Sequence, residues 1–474
     1  MSFKKGDKLL LSIRAAGAQG KGIAHTPEGQ VVFVPYGVPG DQVEAIVVSS
    51  KRKYLESRIL TVLKPSPARV QPPCTHFGLC GGCKWQHVDY SAQLSYKQEE
   101  VTGNLMHIGG LTLPQADPIV GCDQIYGYRN KVEFSFSTSV WLTDEQIASG
   151  AVIDRQGLGF HMPGRWDKIL HIDHCHLHDH YSNCIRNFIY QYARRHQLTF
   201  WNPREQQGLL RTLMIRISSL GQYMVLLQFG HRDFQSIHAL LGAVSEAFPD
   251  ITTLLYTVNT KGNDAIYDLQ IETFKGPGYI RERMPAYLRG DDPLTFRISP
   301  KSFYQTNSHQ AVQLYSKILD YIQPQGIENV YDLYTGTGTI ALYIARYVRR
   351  VTGIELVPDA IADAHINARE NQIQNADFVT GDMKTAFSDD FVAQYGRPDV
   401  VVVDPPRDGM HPAVISQLLR LRPAKIVYVS CNSATQARDL SLMKDSYTVE
   451  RYGAVDMFPH THHVESIAML RYIG

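Results

Sequence analysis

A chain of 474 residues is too long for one ordinary core and should hold two or three domains, and its formal net charge of +1 neither demands nor excludes an RNA partner, because basic side chains can gather on one face. The start, MSFKKGDKLLLSI, has too short an apolar run for a signal peptide, and no stretch is long enough to span a bilayer. Seven cysteines, an odd number, point to reduced thiols or metal ligands rather than a disulfide framework, and so to the cytoplasm.

Residues 1–64 read as a small barrel. Short alternating runs (KLLLSIRAAG, GQVVFVPYG, DQVEAIVVSSKRKYLESRILTV) are separated by turn signals at Pro27-Glu28-Gly29 and Pro39-Gly40-Asp41, which predicts about five closed strands. Lys51, Arg52, Lys53 and Arg58 beside Tyr54 can grip phosphate and stack a base, or simply protect a solvated edge strand. The segment resembles the TRAM domain, an RNA-binding module.

Pro65, Pro67, Pro72 and Pro73 mark a linker into CTHFGLCGGCKWQH, where Cys74, Cys80 and Cys83 lie close together among glycines. A fourth ligand is needed, with Cys122, Cys175 and Cys184 as candidates. Cys175 is chosen because it sits in the turn-like HCHLHDH, where His174 or His176 would serve instead at a zinc site; spacing alone does not separate zinc from iron and sulfur. Residues 91–111 carry apolar side chains at helical spacing, forming a helix that can pack on the catalytic domain. Up to residue 290 follow strand-like runs (KVEFSFS, GLGFH, TLMIRIS, YMVLLQF, TLLYTV, DLQIETF) and one strong helix, CIRNFIYQYARRH, which together predict an α+β domain dominated by antiparallel strands.

From 291 to 474 strands and helices alternate. NVYDLYTGTGTIALYIARYVRRVTGIELV reads as strand, glycine-rich turn, helix and strand; Gly336 and Gly338 permit close approach of a ligand, and Glu355 can accept from two ribose hydroxyls. Asp382 in VTGDM is a candidate acceptor for an adenine amino group. The order is that of S-adenosylmethionine methyltransferases, a Rossmann-like α/β class. DVVVVDPPRDGM and KIVYVSCNSA then end in Asp404 and Cys431, which should face one crevice beyond the carboxyl ends of their strands.

With SPKSFYQTN, DLYTGTGT, DPPRDG, YVSCNSATQARDL and FPHTHHVE in that order, the chain resembles the RNA 5-methyluridine methyltransferases over essentially its whole length. The resemblance implies that Gln305, Tyr334, Glu355 and Asp404 contact S-adenosylmethionine, that Cys431 is the nucleophile and that Glu465 is the base. It also implies a [4Fe-4S] cluster on Cys74, Cys80, Cys83 and Cys175, as in the branch acting on 23S ribosomal RNA; that RNA is favoured over tRNA, and a monomer is expected. Ser433 stands where many relatives have proline, and Tyr334-Thr335 where many have Phe-Cys.

The chemistry gives these residues their reason. Carbon 5 of uracil is too weak a nucleophile for a sulfonium methyl until a thiolate adds at carbon 6, and the carbon 5 proton must then be removed by a base. Amino-directed enzymes place an aromatic after Asp-Pro-Pro, where this chain has Arg407, and enzymes making 5-methylcytosine place a cysteine where it has Pro405 and Pro406. The competing class, a non-catalytic RNA-binding assembly protein, needs neither Cys431 nor Glu465. His460, His462 and His463 read as hydrogen-bonding or phosphate-contacting groups.

Overall fold

The computed structural model describes residues 3–474. The chain forms two compact units, Met1–Ile125 with Asp399–Gly474, and Tyr126–Pro398. The boundaries read from sequence character, at 64/65 and 290/291, fall inside these units.

The first unit opens with the barrel. Its six strands run Lys8–Ser12, Ala15–Ala16, Gly22–His25, Val31–Val34, Gln42–Ser50 and Tyr54–Lys64. The first two are one bent strand. Lys8–Ser12 pairs antiparallel with Gln42–Ser50, and after the bend Ala15–Ala16 pairs with Gly22–His25. Across the bend Ile13 N donates to Asp41 O (2.9 Å) and Arg14 N to Ile23 O (2.8 Å), so the chain passes from one edge of the sheet to the other. That hand-off closes a five-stranded barrel, and Val31–Val34 lies parallel to Tyr54–Lys64 within it. Alternation fills the inside: Leu9, Leu11, Val32, Val34, Val43, Ala45 and Val47 form one apolar cluster.

In the same unit, Asp89 caps the helix Tyr90–His107, accepting from Ser91 N at 3.0 Å. Its buried face is Gln93, Lys97, Val101 and Leu105, half of it polar. The strands Val400–Val403 and Lys425–Ser430 are parallel, Glu465–Tyr472 returns antiparallel to the second, and Tyr447–Val455 pairs with that return. All four valines from 400 to 403 are buried, as a strand covered on both faces requires.

The second unit contains a seven-stranded mixed sheet built between Lys131 and Lys275. Five of the six strand-like runs named above form strands there, and DLQIETF does so only from Glu272 onward, its first four residues lying outside the strand. The helix Phe234–Ala247, capped by Asp233, is missing from the sequence reading; it crosses from Tyr223–Phe229 to the parallel strand Ile251–Val258. Its buried residues Ile237, Leu240, Leu241 and Val244 have the spacing of a helical face, so the signal was there to be read. The parallel strands Asn329–Leu333, Arg350–Glu355 and Ala376–Thr380, with helices between them, make this unit's Rossmann-like part. Among the described residues no helix is long and apolar enough to cross a membrane.

Candidate active site

In the first unit, two strands and one return strand bring three ionisable side chains together. Asp404 follows Val400–Val403, Cys431 follows Lys425–Ser430, and Glu465 begins the return strand. The register Ser430↔Ser466 sets Cys431 and Glu465 at neighbouring positions one step beyond the last pair. Glu465 is only 6% exposed and Cys431 is half-buried.

The electrostatics follow from burial. The Cys431 thiol is pushed up to about 11, first by desolvation and then by the carboxylates of Glu465 and Asp404; the positive charge of Arg407 pulls the other way. Glu465 is raised well above the carboxylate range by desolvation and then by Asp404, again against Arg407, and Asp404 is raised by desolvation. Two acids that cannot both ionise cheaply therefore flank a thiol, with one cation among them. Arg407 is held by its own backbone, whose carbonyl accepts from Asn432 Nδ2 (3.1 Å) and Thr435 Oγ1 (3.0 Å). Sequence reasoning used Arg407 only as the absence of an aromatic.

The loop before Glu465 is fixed from the helix Tyr90–His107. Lys97 and Asp456, both fully buried, pair at 2.6 Å; Tyr90 donates to the same carboxylate (2.8 Å), and Lys97 also donates to Phe458 O (3.1 Å). Gln93 accepts from His460 N (2.8 Å) and meets its ring at Nδ1 (3.2 Å). His460 has φ 65°, a left-handed conformation costly for a residue with a Cβ, and its carbonyl accepts from Lys84 N and Trp85 N. Burial and nearby lysines push His460 and His462 down to about 4. His460 is thus a neutral bonding group of the loop. Nothing in a polar helix sequence marks Gln93 and Lys97 as buried anchors.

In the second unit the glycine-rich turn follows Asn329–Leu333. Tyr334, Gly336 and Gly338 all have positive φ. Gly338 has no room for a Cβ, which would meet the Phe378 ring at 2.8 Å, whereas beside Gly336 a Cβ would meet nothing within 4 Å. One Glu355 oxygen accepts from Gly336 N (3.1 Å) and the other from Val357 N (3.0 Å), leaving each oxygen a lone pair. Open space at Gly336 and a fixed carboxylate beside it fit a ribose. Asp382 is exposed two residues past Ala376–Thr380, and its side chain accepts from Lys384 N (3.0 Å). Gln305 is buried, with its carbonyl accepting from Asn130 Nδ2 (2.9 Å).

Cys74, Cys80 and Cys83 lie half-buried in the loop after the barrel, and Cys175 lies in the other unit. Cys80 and Cys83 both raise the phenol of Tyr36, after desolvation, and Gln86 Nε2 donates to Cys83 Sγ at 3.1 Å. Among the described residues no group of three or more His, Cys, Asp or Glu side chains is gathered as metal ligands.

Comparison with known proteins bears on both units. A family model described as tRNA (Uracil-5-)-methyltransferase matches residues 275–473, and the TRAM domain model matches residues 3–60. An uncharacterized RNA methyltransferase of Bacteroides thetaiotaomicron is 47% identical over 96% of this chain and 99% of its own, and one of Chlorobaculum tepidum is 40% identical over 98% and 96%. The crystal structure of Pyrococcus abyssi tRNA (uracil-54, C5)-methyltransferase with S-adenosyl-L-homocysteine is similar at a TM-score of 0.75 and 29% identity, covering 98% of this chain and 100% of that one.

Proposed function

Because the chain belongs to the S-adenosylmethionine-dependent RNA (uracil-5) methyltransferases, we propose that it methylates carbon 5 of a uridine through a covalent bond between Cys431 and carbon 6. The observation that carries this is the Cys431–Glu465 neighbourhood, with the Arg407 guanidinium opposing the rise of the thiol. S-adenosylmethionine supplies the methyl group as a sulfonium. Glu355 would hold its ribose at the Gly336 turn, with Gln305, Tyr334, Gly338, Asp382 and Asp404 as further contacts.

The resting thiol is protonated at neutral pH, so the thiolate needs a stabiliser, and Arg407 is the cation whose charge favours it. Addition to carbon 6 makes carbon 5 nucleophilic. Once carbon 5 carries the methyl group, Glu465 takes its proton and the thiolate is expelled. A carboxylate pushed up toward neutrality is a stronger base than an ordinary one, which suits Glu465 to that step. The uridine must be unstacked to reach these groups.

Glu465→Gln should therefore methylate RNA and retain it, as a protein–RNA adduct that survives a denaturing gel and carries label from methyl-labelled S-adenosylmethionine. Cys431→Ala should form none. Normal turnover by Glu465→Gln would move the base elsewhere, and 5-methyluridine made by Cys431→Ala would end the covalent mechanism.

We read the substrate as 23S ribosomal RNA, the protein as a cytoplasmic monomer, and Cys74, Cys80, Cys83 and Cys175 as holding a [4Fe-4S] cluster. The soft donor set supports the cluster, with Cys80 and Cys83 beside one phenol. Protein purified without oxygen should carry iron and acid-labile sulfide in equal amounts, and less in Cys175→Ser but not in Cys184→Ser; stoichiometric zinc would overturn this. The division of labour follows 1–64 for RNA binding, 65–290 for the cluster-bearing part and 291–474 for methyl transfer. A second reading, tRNA as substrate, is favoured by the Pyrococcus abyssi neighbour, whose alignment over 98% of this chain includes the barrel segment. The barrel alone thus does not choose between the RNAs. Mapping 5-methyluridine in ribosomal and transfer RNA, with and without the protein, decides.

A further inference from the structure

Far along the chain from the catalytic motifs, a β-hairpin in the second unit ends in an exposed indole. Its strands, Gly157–His161 and Ile169–His171, pair antiparallel, and the tip between them reads MPGRWDK. Trp166 is 68% exposed. The other three tryptophans are covered: Trp85 is buried, Trp141 is half-buried, and Trp201 lies under the Arg211 guanidinium at 4.0 Å. An indole left in water on an ordered tip forgoes a large burial term, so its position invites a ligand.

The tip is braced. Met162 N donates to Lys168 O (2.9 Å) and Arg165 N to Met162 O (3.0 Å). Asp167, 7% exposed, accepts from Arg204 Nε (3.2 Å) and Nη2 (2.6 Å), and the backbone of Arg204 is held in turn by Asn202 Oδ1 (3.1 Å). Between hairpin and loop lies a cavity of about 430 Å³, lined by Gly164, Arg165, Trp166, Asp167 and Arg204. Gly164 contributes a left-handed turn with open space beside it. Three cations, Arg165, Lys168 and Arg204, stand against Asp167, which Arg204 covers, and the exposed Glu205. Among the described residues the Arg165 side chain has no partner.

An aromatic face with fixed and free guanidinium groups around a concavity is the chemistry of an unpaired nucleotide: a base stacks and a phosphate is paired. We propose that the Trp166 tip is an RNA-contact site that takes one unpaired nucleotide, its base on the indole and its phosphate against Arg165 and Arg204. This rests on the reading of RNA as the substrate, and it adds a second contact to the one expected of the barrel.

The test is binding of a short unstructured RNA to the full chain without methyl donor, followed by anisotropy of labelled RNA and by quenching of tryptophan fluorescence. Trp166→Leu should weaken binding about tenfold and abolish most of the quenching, since stacking on one aromatic supplies that order of affinity. Trp166→Phe should keep most of the affinity. Arg165→Ala should reduce the slope of log affinity against log salt by about 1, the loss of one phosphate contact. Thermal stability should not change in any of the three. Unchanged RNA affinity in Trp166→Leu would overturn the proposal and leave the indole to a protein partner; equal losses in Trp166→Leu and Trp166→Phe would remove the stacking. Neither readout requires methyl transfer. A wild-type protein that binds through Trp166 and makes no 5-methyluridine would sink the functional reading and leave this one standing.

Discussion

The strand ends at Cys431 and the turn at Gly336 use the same α/β device for opposite ends. Around Cys431 the thiol, Glu465 and Asp404 are each moved by desolvation toward the neutral form, and the charge of Arg407 opposes this at Cys431 and Glu465. Around Gly336 the work is done by backbone: three positive φ angles, open space where a Cβ would stand, and a carboxylate fixed by two amide donors. The first arrangement suits proton and electron-pair transfer, because small changes there shift charge. The second suits binding, because nothing in it needs to change. On the roles proposed above, the groups that would perform chemistry are held in discomfort, and those that would hold a ligand are satisfied before it arrives.

If the discomfort at Cys431 is sustained by its surroundings, the largest effect should come from the anchor beneath the Glu465 loop. Lys97→Met leaves Asp456 buried without its cation and should cost about 3–5 kcal/mol of stability, read as a fall in the urea midpoint. Lys97→Met combined with Asp456→Leu should recover much of that loss, since a buried pair replaced on both sides is far less costly than one broken. A midpoint that hardly moves in the single variant would mean that the pair is not what holds the loop. On the other side of the comparison, Glu355→Ala should weaken S-adenosylmethionine binding by about 1.5–3 kcal/mol, the range for hydrogen bonds to a charged group, and leave RNA affinity unaltered. Calorimetry showing the same donor affinity would take Glu355 out of the site.

What the sequence could tell follows the same divide. Glycine-rich turns, strand-end acids and the barrel's alternation are local patterns, written within a few residues, and Gly336, Glu355, Asp404 and Cys431 could be singled out from them. The bent first strand that closes the barrel was legible as a count of about five. The anchor at Gln93 and Lys97 was not: burial of a lysine depends on Asp456, more than three hundred residues away, and no local pattern encodes a partner at that distance. Arg407 was visible as a residue and invisible as a role, because its effect on Cys431 exists only once two strands are side by side. The helix Phe234–Ala247 was a different miss, since its apolar spacing was in plain sight.

The smallest expected effect bears most directly on whether the site is held in discomfort. Glu465 has its proton affinity raised by folding, so the folded state prefers it protonated. For an acid shifted upward, the favourable contribution is fully present below the unfolded value and is lost as pH climbs through the folded one. The amide introduced by Glu465→Gln copies the protonated side chain and does not titrate. The variant and the parent should then melt together near pH 5, and the variant should become the more stable as pH rises toward 9, by roughly 1–3 kcal/mol, since each tenfold change in proton affinity is worth about 1.4 kcal/mol. For a chain of this size that is a separation of a few degrees in Tm, of the order of 2–4 °C per kcal/mol. Removing the proposed base would thus stabilise the protein while trapping its product, the pattern expected where activity is maintained against stability. Parallel melting curves at all pH values would show that Glu465 is accommodated without strain, and the contrast between the two strand ends would then rest on Cys431 alone.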